Sequence, residues 1–386
     1  MAGQVIYDNH RAMRAAKKMV RKATLVFTTC IGAGLGLLRD QAFDIVVVDE
    51  ASQQTEPASL VPLTKGCRKA VLVGDHVQLR PTVTPHGLSL GFDVSLFERL
   101  YLDQRKESTW GGAGGGGGGV ARIMLDTQYR MHAALCEPLS REFYEGKLRT
   151  GVRLDDRPHF PSQFPWPDKK SAGRMVFIQC TAPEDIGHKS KANKGQAELT
   201  ARVCRLLFSA PRVTPAGPKI HASTGKTRQS SDSKTSHETP RRLPSVAVLT
   251  PHRRQADLLK TTLSSFSSVE VCSIDGFQGR EADYVVFVTV RCNPHCVIGF
   301  LKDKRRLNVA LTRAKTGVIV VGDEKTLTSA AKEGVLWRVG VRFSKLDEED
   351  DSEEDDLESK ELWRRLLGGM AKVDLDITEA GEEKKP

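Results

Sequence analysis

From residue 23 onward the chain repeats one pattern: a short, nearly unbroken apolar run, a few small or polar residues, then a stretch with helical spacing. "ATLVFTTCIGAG" (23–34), "FDIVVVDEAS" (43–52) and "KAVLVGDHVQL" (69–79) form a first series. "RMVFIQC" (174–180), "PSVAVLTPH" (244–252), "SVEVCSIDGF" (268–277), "DYVVFVTVRCN" (283–293) and "GVIVVGD" (317–323) form a second. Runs that are continuous rather than alternating suit strands buried on both faces of a parallel sheet, with helices as the crossovers. The pattern therefore predicts an α/β chain with two parallel-sheet units.

Two inserts interrupt the series. "GGAGGGGGG" (111–119) has no side chains with which to pack and reads as a flexible insert. Residues 209–245, rich in Pro, Ser, Thr, Lys and Arg, read as a disordered surface loop. The expected organisation is a basic helical leader over 1–22, a first domain over 23–128, a second over 129–346, and a solvated acidic tail over 347–386. That tail carries a short amphipathic helix, "ESKELWRRLLGGM" (358–370).

Length fits this division, since 386 residues can bury two ordinary cores. Charge sharpens it. The formal net charge is +10, yet residues 347–361 hold 11 acids and one Lys, so residues 1–346 carry +20. A basic body of that size favours a polyanionic partner, nucleic acid first, and the acidic run could attract protein partners or fold back over a basic groove. The eight cysteines have no disulfide-framework spacing, which fits a reducing compartment, cytoplasmic or also nuclear. "CNPHC" (292–296) lacks a second ligand pair for zinc and reads as a loop. No apolar run is long enough for a membrane span, and no signal peptide opens the chain.

Candidate chemistry sits at the ends of the predicted strands. Asp49 and Glu50 close the second run, the arrangement in which one carboxylate helps hold magnesium and the next orients or deprotonates water. Gln78 stands four residues beyond Gly74, where a neutral amide could touch a γ-phosphate. Arg130 in "QYRMH" and Arg313 in "RRLNVALTRAK" offer guanidinium groups for developing phosphoryl charge. Gly279 and Glu281 in "DGFQGRE" precede a strand and suit a nucleotide contact. Each signal has a bland alternative: a solvated carboxylate, a surface amide, a surface ion pair.

Their order changes the weight. Asp49-Glu50-Ala51, "VGDHVQLRP", "QYRMH", "VLTPHRRQ", "SIDGFQGRE" and "RRLNVALTRAK" resemble motifs II, III, IIIa, IV, V and VI of superfamily 1 helicases, most closely the regulator-of-nonsense-transcripts family of RNA helicases. The resemblance implies two RecA-like parallel-sheet domains, the first truncated at its N-terminus, using ATP and Mg2+ on single-stranded RNA or DNA, as a monomer, in RNA surveillance such as nonsense-mediated decay. It implies Asp49 as the magnesium-linked acid, Glu50 as catalytic base, Gln78 as sensor, and Arg130 and Arg313 as arginine fingers. Gly279 and Glu281 would contact nucleotide, and Thr28, Thr29, Thr250, Pro251 and His252 would line the nucleic-acid path.

One part of the family pattern has no counterpart. The phosphate-binding G-x-x-x-x-G-K-[ST] would lie upstream of Asp49, and none of the 48 residues before it fits. "STGKT" (223–227) has Ile220 where the first glycine belongs and no strand before it, so it reads as a decoy. The sequence therefore supports two expectations: an ATP-hydrolysing helicase represented by part of its core, or a non-catalytic nucleic-acid-binding module derived from one.

Overall fold

The computed structural model describes residues 2–103, 120–157, 159–160, 162–167, 173–185, 190–209, 243–330 and 353–375. The inserts at 111–119 and 210–242, with "STGKT", and the acidic residues 347–352 lie outside the described residues. The chain divides into one compact body within Met1–Met124 and a second comprising Leu125–Arg342 and Glu348–Pro386. Among the described residues no helix is long and apolar enough to cross a membrane.

The first body opens with α1 (Ala2–Lys22) and α2 (Cys30–Ala33). Strand β1 (Ile45–Val48), α3 (Glu56–Leu63) and β2 (Lys69–Leu72) form one right-sized crossover unit, with the strands parallel and Ile45 level with Lys69. Helices α4 (Pro85–Ser89) and α5 (Leu96–Leu102) complete it. Arg80, ahead of α4, reaches α5 and the loop before it, donating from Nε to Glu98 at 2.9 Å and from Nη1 to Asp93 at 2.7 Å.

Two sequence expectations change here. The run at 23–29 forms no strand and joins no ladder, and Phe27 is 88% exposed. Strand β1 is not buried on both faces: Val46 and Val48 enter a small core with Ala51, whereas Ile45 and Val47 are exposed. A ladder of two strands packed on one side shows alternation even when its sequence does not, because burial is set by what covers each face.

In the second body the five apolar runs of the second series form strands. It begins with β3 (Thr127–Gln128), α6 (Ala133–Phe143) and β4 (Arg149–Thr150). Its sheet is built from β5 (Met175–Gln179), β6 (Val246–Thr250), β7 (Val269–Ser273), β8 (Ala282–Val288) and β9 (Ala314–Gly322), connected through α7 (Lys194–Phe208), α8 (Arg253–Thr262) and α9 (Lys304–Leu311). All ladders are parallel, in the order β10-β5-β9-β8-β6-β7, where β10 is the short edge strand Ala371–Lys372. Every residue of β8 is buried, as a central strand between helical layers requires.

The chain then runs through α10 (Glu324–Thr328) to α11 (Glu353–Gly368) and the edge strand β10 (Ala371–Lys372). The sequence placed a helix at 358–370 in a tail; the observed helix starts at Glu353 and is part of the core. Trp363 is fully buried, stacks on Phe287 at 6.4 Å, and donates its indole N–H to the Leu301 carbonyl at 3.1 Å. Lys360, also fully buried, donates to the carbonyls of Cys296 at 2.5 Å and Thr326 at 2.6 Å, and burial pulls its ammonium down to about 8. Truncating Trp363→Ala empties a closed site, so the unfolding midpoint of the second body in denaturant should fall by the equivalent of about 3–5 kcal/mol; an unchanged midpoint would show that α11 is not part of that core.

Candidate nucleotide and nucleic-acid sites

In the first body, Asp49 and Glu50 follow β1 directly and both are exposed. Glu50 takes a left-handed conformation, φ 51°, unusual for a residue with a long side chain. Its amide donates to Asp49 Oδ1 at 3.0 Å, and Gln53 Nε2 donates to Glu50 Oε2 at 2.6 Å. The turn is held from behind: Ala51 N–H donates to the Val73 carbonyl at 2.8 Å, and a Cβ on Gly74 would stand 2.9 Å from the Ser52 nitrogen. Gly74 thus lets the two strand-end loops touch. Gln78 lies in the second loop, donating its amide to Asp75 Oδ2 at 2.6 Å. The adjacent oxygens of Asp49 and Glu50 are hard donors of the kind that suits magnesium.

Thr29 caps α2, its Oγ1 accepting from Gly32 N–H at 3.0 Å. Thr28 beside it is exposed.

In the second body, residues far apart in the chain converge. Arg130 Nε donates to Glu281 Oε2 at 3.2 Å, Lys315 Nζ donates to Glu281 Oε1 at 2.5 Å, and Arg130 Nη1 donates to the Thr312 carbonyl at 3.2 Å. The Lys315 hydrogen bond first, then Arg130, holds the Glu281 carboxyl below the usual carboxylate range. Gln128 shapes the turn that presents Arg130: its Oε1 accepts from the amides of Arg130 and Met131, both at 2.7 Å. Gly279, at φ +73°, gives the left-handed turn two residues before Glu281.

Arg313 is placed differently from Arg130. It is 3% exposed, and its Nε donates to the Val309 carbonyl at 3.2 Å, one turn back in α9. The segment around it joins the cluster through its backbone, since the Ala282 N–H donates to the Arg313 carbonyl at 3.1 Å.

Thr250, Pro251 and His252 leave the C-terminal end of β6. Thr250 Oγ1 and His252 Nε2 are buried with no hydrogen-bond partner among the described residues. Burial, then the charges of Arg291 and Lys191, pull the His252 imidazole down to about 4, so it is neutral near pH 7.

Two features were missed in the sequence. Tyr129, adjacent to Arg130, is an exposed aromatic ring whose only sequence signal was its place in "QYRMH". Phe300, 44% exposed, stands 5.6 Å from His252 and 5.3 Å from the Arg306 guanidinium. The "CNPHC" loop is built around Asn293, whose side chain donates to the Val297 carbonyl at 2.9 Å and accepts from the Val297 amide at 3.0 Å. Among the described residues no group of three or more His, Cys, Asp or Glu side chains could hold a metal ion.

A family model described as an AAA domain matches residues 92–325, and a second with the same description matches residues 4–85. The chain is 34% identical over 325 residues to the Regulator of nonsense transcripts 1 homolog of Neurospora crassa, covering 81% of this chain and 26% of that protein. It is 36% identical to Regulator of nonsense transcripts 1 of Dictyostelium discoideum, over 80% of this chain and 21% of that protein. It is 33% identical to the ATP-dependent helicase NAM7 of Saccharomyces cerevisiae, over 86% of this chain and 30% of that protein. The chain thus spans between a fifth and a third of the length of these relatives. Among solved structures, the PRRSV helicase aligns at 16% identity and a TM-score of 0.34, over 78% of this chain and 41% of its own.

The His252 imidazole sets a pH test. Its folded value near 4 lies below the ordinary 6.5, so between those values the unfolded chain binds more protons than the folded one. Its contribution to stability is therefore complete above pH 6.5 and lost as pH falls toward 4. Thermal melts over that range should show a smaller decline for His252→Gln than for the parent chain; equal slopes would mean that the imidazole is not buried neutral.

Proposed function

The chain belongs to the AAA-domain family, and from that premise we propose that it carries the working residues of an ATP-dependent helicase or translocase acting on single-stranded RNA, in RNA surveillance of the nonsense-decay kind. The observation that carries this reading is the Arg130–Glu281–Lys315 cluster, which brings three separate sequence motifs into one ion-paired unit with two cations around one carboxylate. A surface ion pair between unrelated segments has no reason to draw its members from "QYRMH", "QGRE" and "LTRAK" together.

The residue chemistry fits a magnesium nucleotide. Asp49 would supply a hard oxygen ligand to the metal, and Glu50, exposed at a left-handed turn, would take a proton from water. Bound ATP would supply the phosphoryl group whose hydrolysis drives movement. Arg130 brings positive charge for the oxygens that gain negative charge in the transition state, while Lys315 keeps Glu281 ionised and thereby fixes the direction of Arg130. Arg313 needs its buried guanidinium released from the Val309 carbonyl to serve in the same way. Gln78, released from Asp75, could report on a γ-phosphate.

A second reading rests on one specific observation: no G-x-x-x-x-G-K-[ST] occurs in the 386 residues. In that reading the chain binds nucleic acid through its basic surface without turning over ATP.

Steady-state ATP hydrolysis by the chain, with and without single-stranded RNA, separates the two. RNA-stimulated turnover that falls about 10²-fold or more in Glu50→Gln supports the helicase reading. No turnover, with RNA affinity that drops steeply as salt rises, supports the binding module. Absence of RNA binding at low salt overturns both.

A further inference from the structure

Strands β6 and β7 are parallel neighbours in register, Val246 with Val269 through Thr250 with Ser273. Beyond their carboxyl ends lies a cleft of about 160 Å³ lined by Pro251, Ser273, Ile274, Asp275, Phe300 and Arg306. Crevices at this end of an open parallel sheet are where ligands sit. The residues decide which ligand.

Phe300 is a large apolar ring left in water, yet its backbone is fixed. The next carbonyl, Leu301, accepts from the Trp363 indole at 3.1 Å, and that of Lys302 accepts from Ser359 Oγ at 3.2 Å. The ring meets the His252 imidazole edge to face at 5.6 Å, and the Arg306 guanidinium lies 5.3 Å from its centroid. Arg306 is in turn held by Asp275 and Asp303, each at 3.5 Å. A bare phosphate is a poor fit, because Asp275 already answers the charge of Arg306 and would repel a second anion. A flat, partly aromatic group with N–H donors is a good one: it can stack on Phe300, lie against Pro251 and Ile274, and donate to Asp275 or Ser273. Thr250 Oγ1 and His252 Nε2, on either side of Pro251, are buried polar atoms without a hydrogen-bond partner among the described residues, a costly state that a ligand at the cleft would relieve.

We propose that this cleft is a nucleobase subsite, in which one base of a single-stranded nucleic acid stacks on the Phe300 ring beside the Arg306 guanidinium. The proposal rests on the reading that the chain binds single strands, and adds the residue that grips a base rather than the backbone. Stacking of this kind is tolerant of sequence, since every base offers a π face. Loss of one base–aromatic stack lowers affinity by about 5- to 150-fold.

The test uses the full chain and two fluorescently labelled oligoribonucleotides of equal length, one with all bases and one abasic throughout, followed by anisotropy across a salt series. Phe300→Ala should weaken binding of the base-bearing strand by a factor in that range, leave the abasic strand unaffected, and leave the slope of affinity against salt unchanged. Phe300→Trp should keep the affinity. Phe300→Leu, which preserves apolar bulk without the π face, should behave as Phe300→Ala and guards against a folding defect. Equal losses on both strands, or no loss on either, would overturn the subsite while leaving single-strand binding intact. Failure of the parent chain to bind either strand would instead overturn the nucleic-acid reading on which it rests.

Discussion

The polarity of the second body's parallel sheet is the constraint on which its chemistry depends. Because every ladder is parallel, all strands start on one rim and end on the other, and the helices between them leave only the rims open. The ion-paired cluster occupies the starting rim: Glu281 immediately precedes β8 and Lys315 is the second residue of β9. The cleft with Pro251, Ser273 and Phe300 occupies the finishing rim, where β6 and β7 end. The Arg130–Glu281–Lys315 cluster and the Phe300 cleft thus lie at opposite ends of the strands.

The segment that turns out of β8 is held by hydrogen bonds among buried polar groups. Asn193 caps α7 and donates its amide to the carbonyls of Ala182 and Val290, while Gln255 exchanges two hydrogen bonds with the Asn193 backbone. Val290, β-branched and at φ 70°, would be strained on its own; the Gln196 side chain accepts its N–H at 2.7 Å and Asn193 takes its carbonyl. Glu184 accepts from the Cys292 amide at 2.9 Å and lies 3.3 Å from Arg291 Nε. Leaving any one of these groups unpaired would cost more than the bond itself contributes, so the segment that turns out of β8 has little freedom.

Much of this architecture was legible in the chain. The five apolar runs of the second series each became a strand, because strands sealed on both faces need no polar position and leave an unmistakable trace. The run at 23–29 left the same trace and formed none, since apolar composition states what could be buried and not whether a neighbour is there to pair with it. Asp49 and Glu50 were legible as adjacent carboxylates, but the left-handed turn at Glu50 was not, because a backbone outlier is imposed by tertiary contacts such as the close approach at Gly74. Phe300 escaped notice for the opposite reason: a lone Phe in "IGFLKD" reads as core, and only the burial of its neighbours Ile298 and Leu301 shows that it faces outward. Lys360 and Trp363 were read as parts of a tail helix, since nothing local tells a buried lysine from a solvated one.

Helix α9 links the two rims. Arg306, in its first turn, lies against Phe300, and Thr312, at its end, accepts from Arg130. Six residues of α-helix separate them by about 9 Å. The intervening residues Leu307 to Leu311 are all buried, so the stretch between the two contacts is packed on every side. The N-terminus of the helix is fixed by Asp303, which accepts from the amides of Arg305 and Arg306 and also lies 3.5 Å from the Arg306 guanidinium. Helix α9 thus carries, in its first turn, the arginine that lies against Phe300 and, at its C-cap Thr312, the carbonyl that accepts from Arg130.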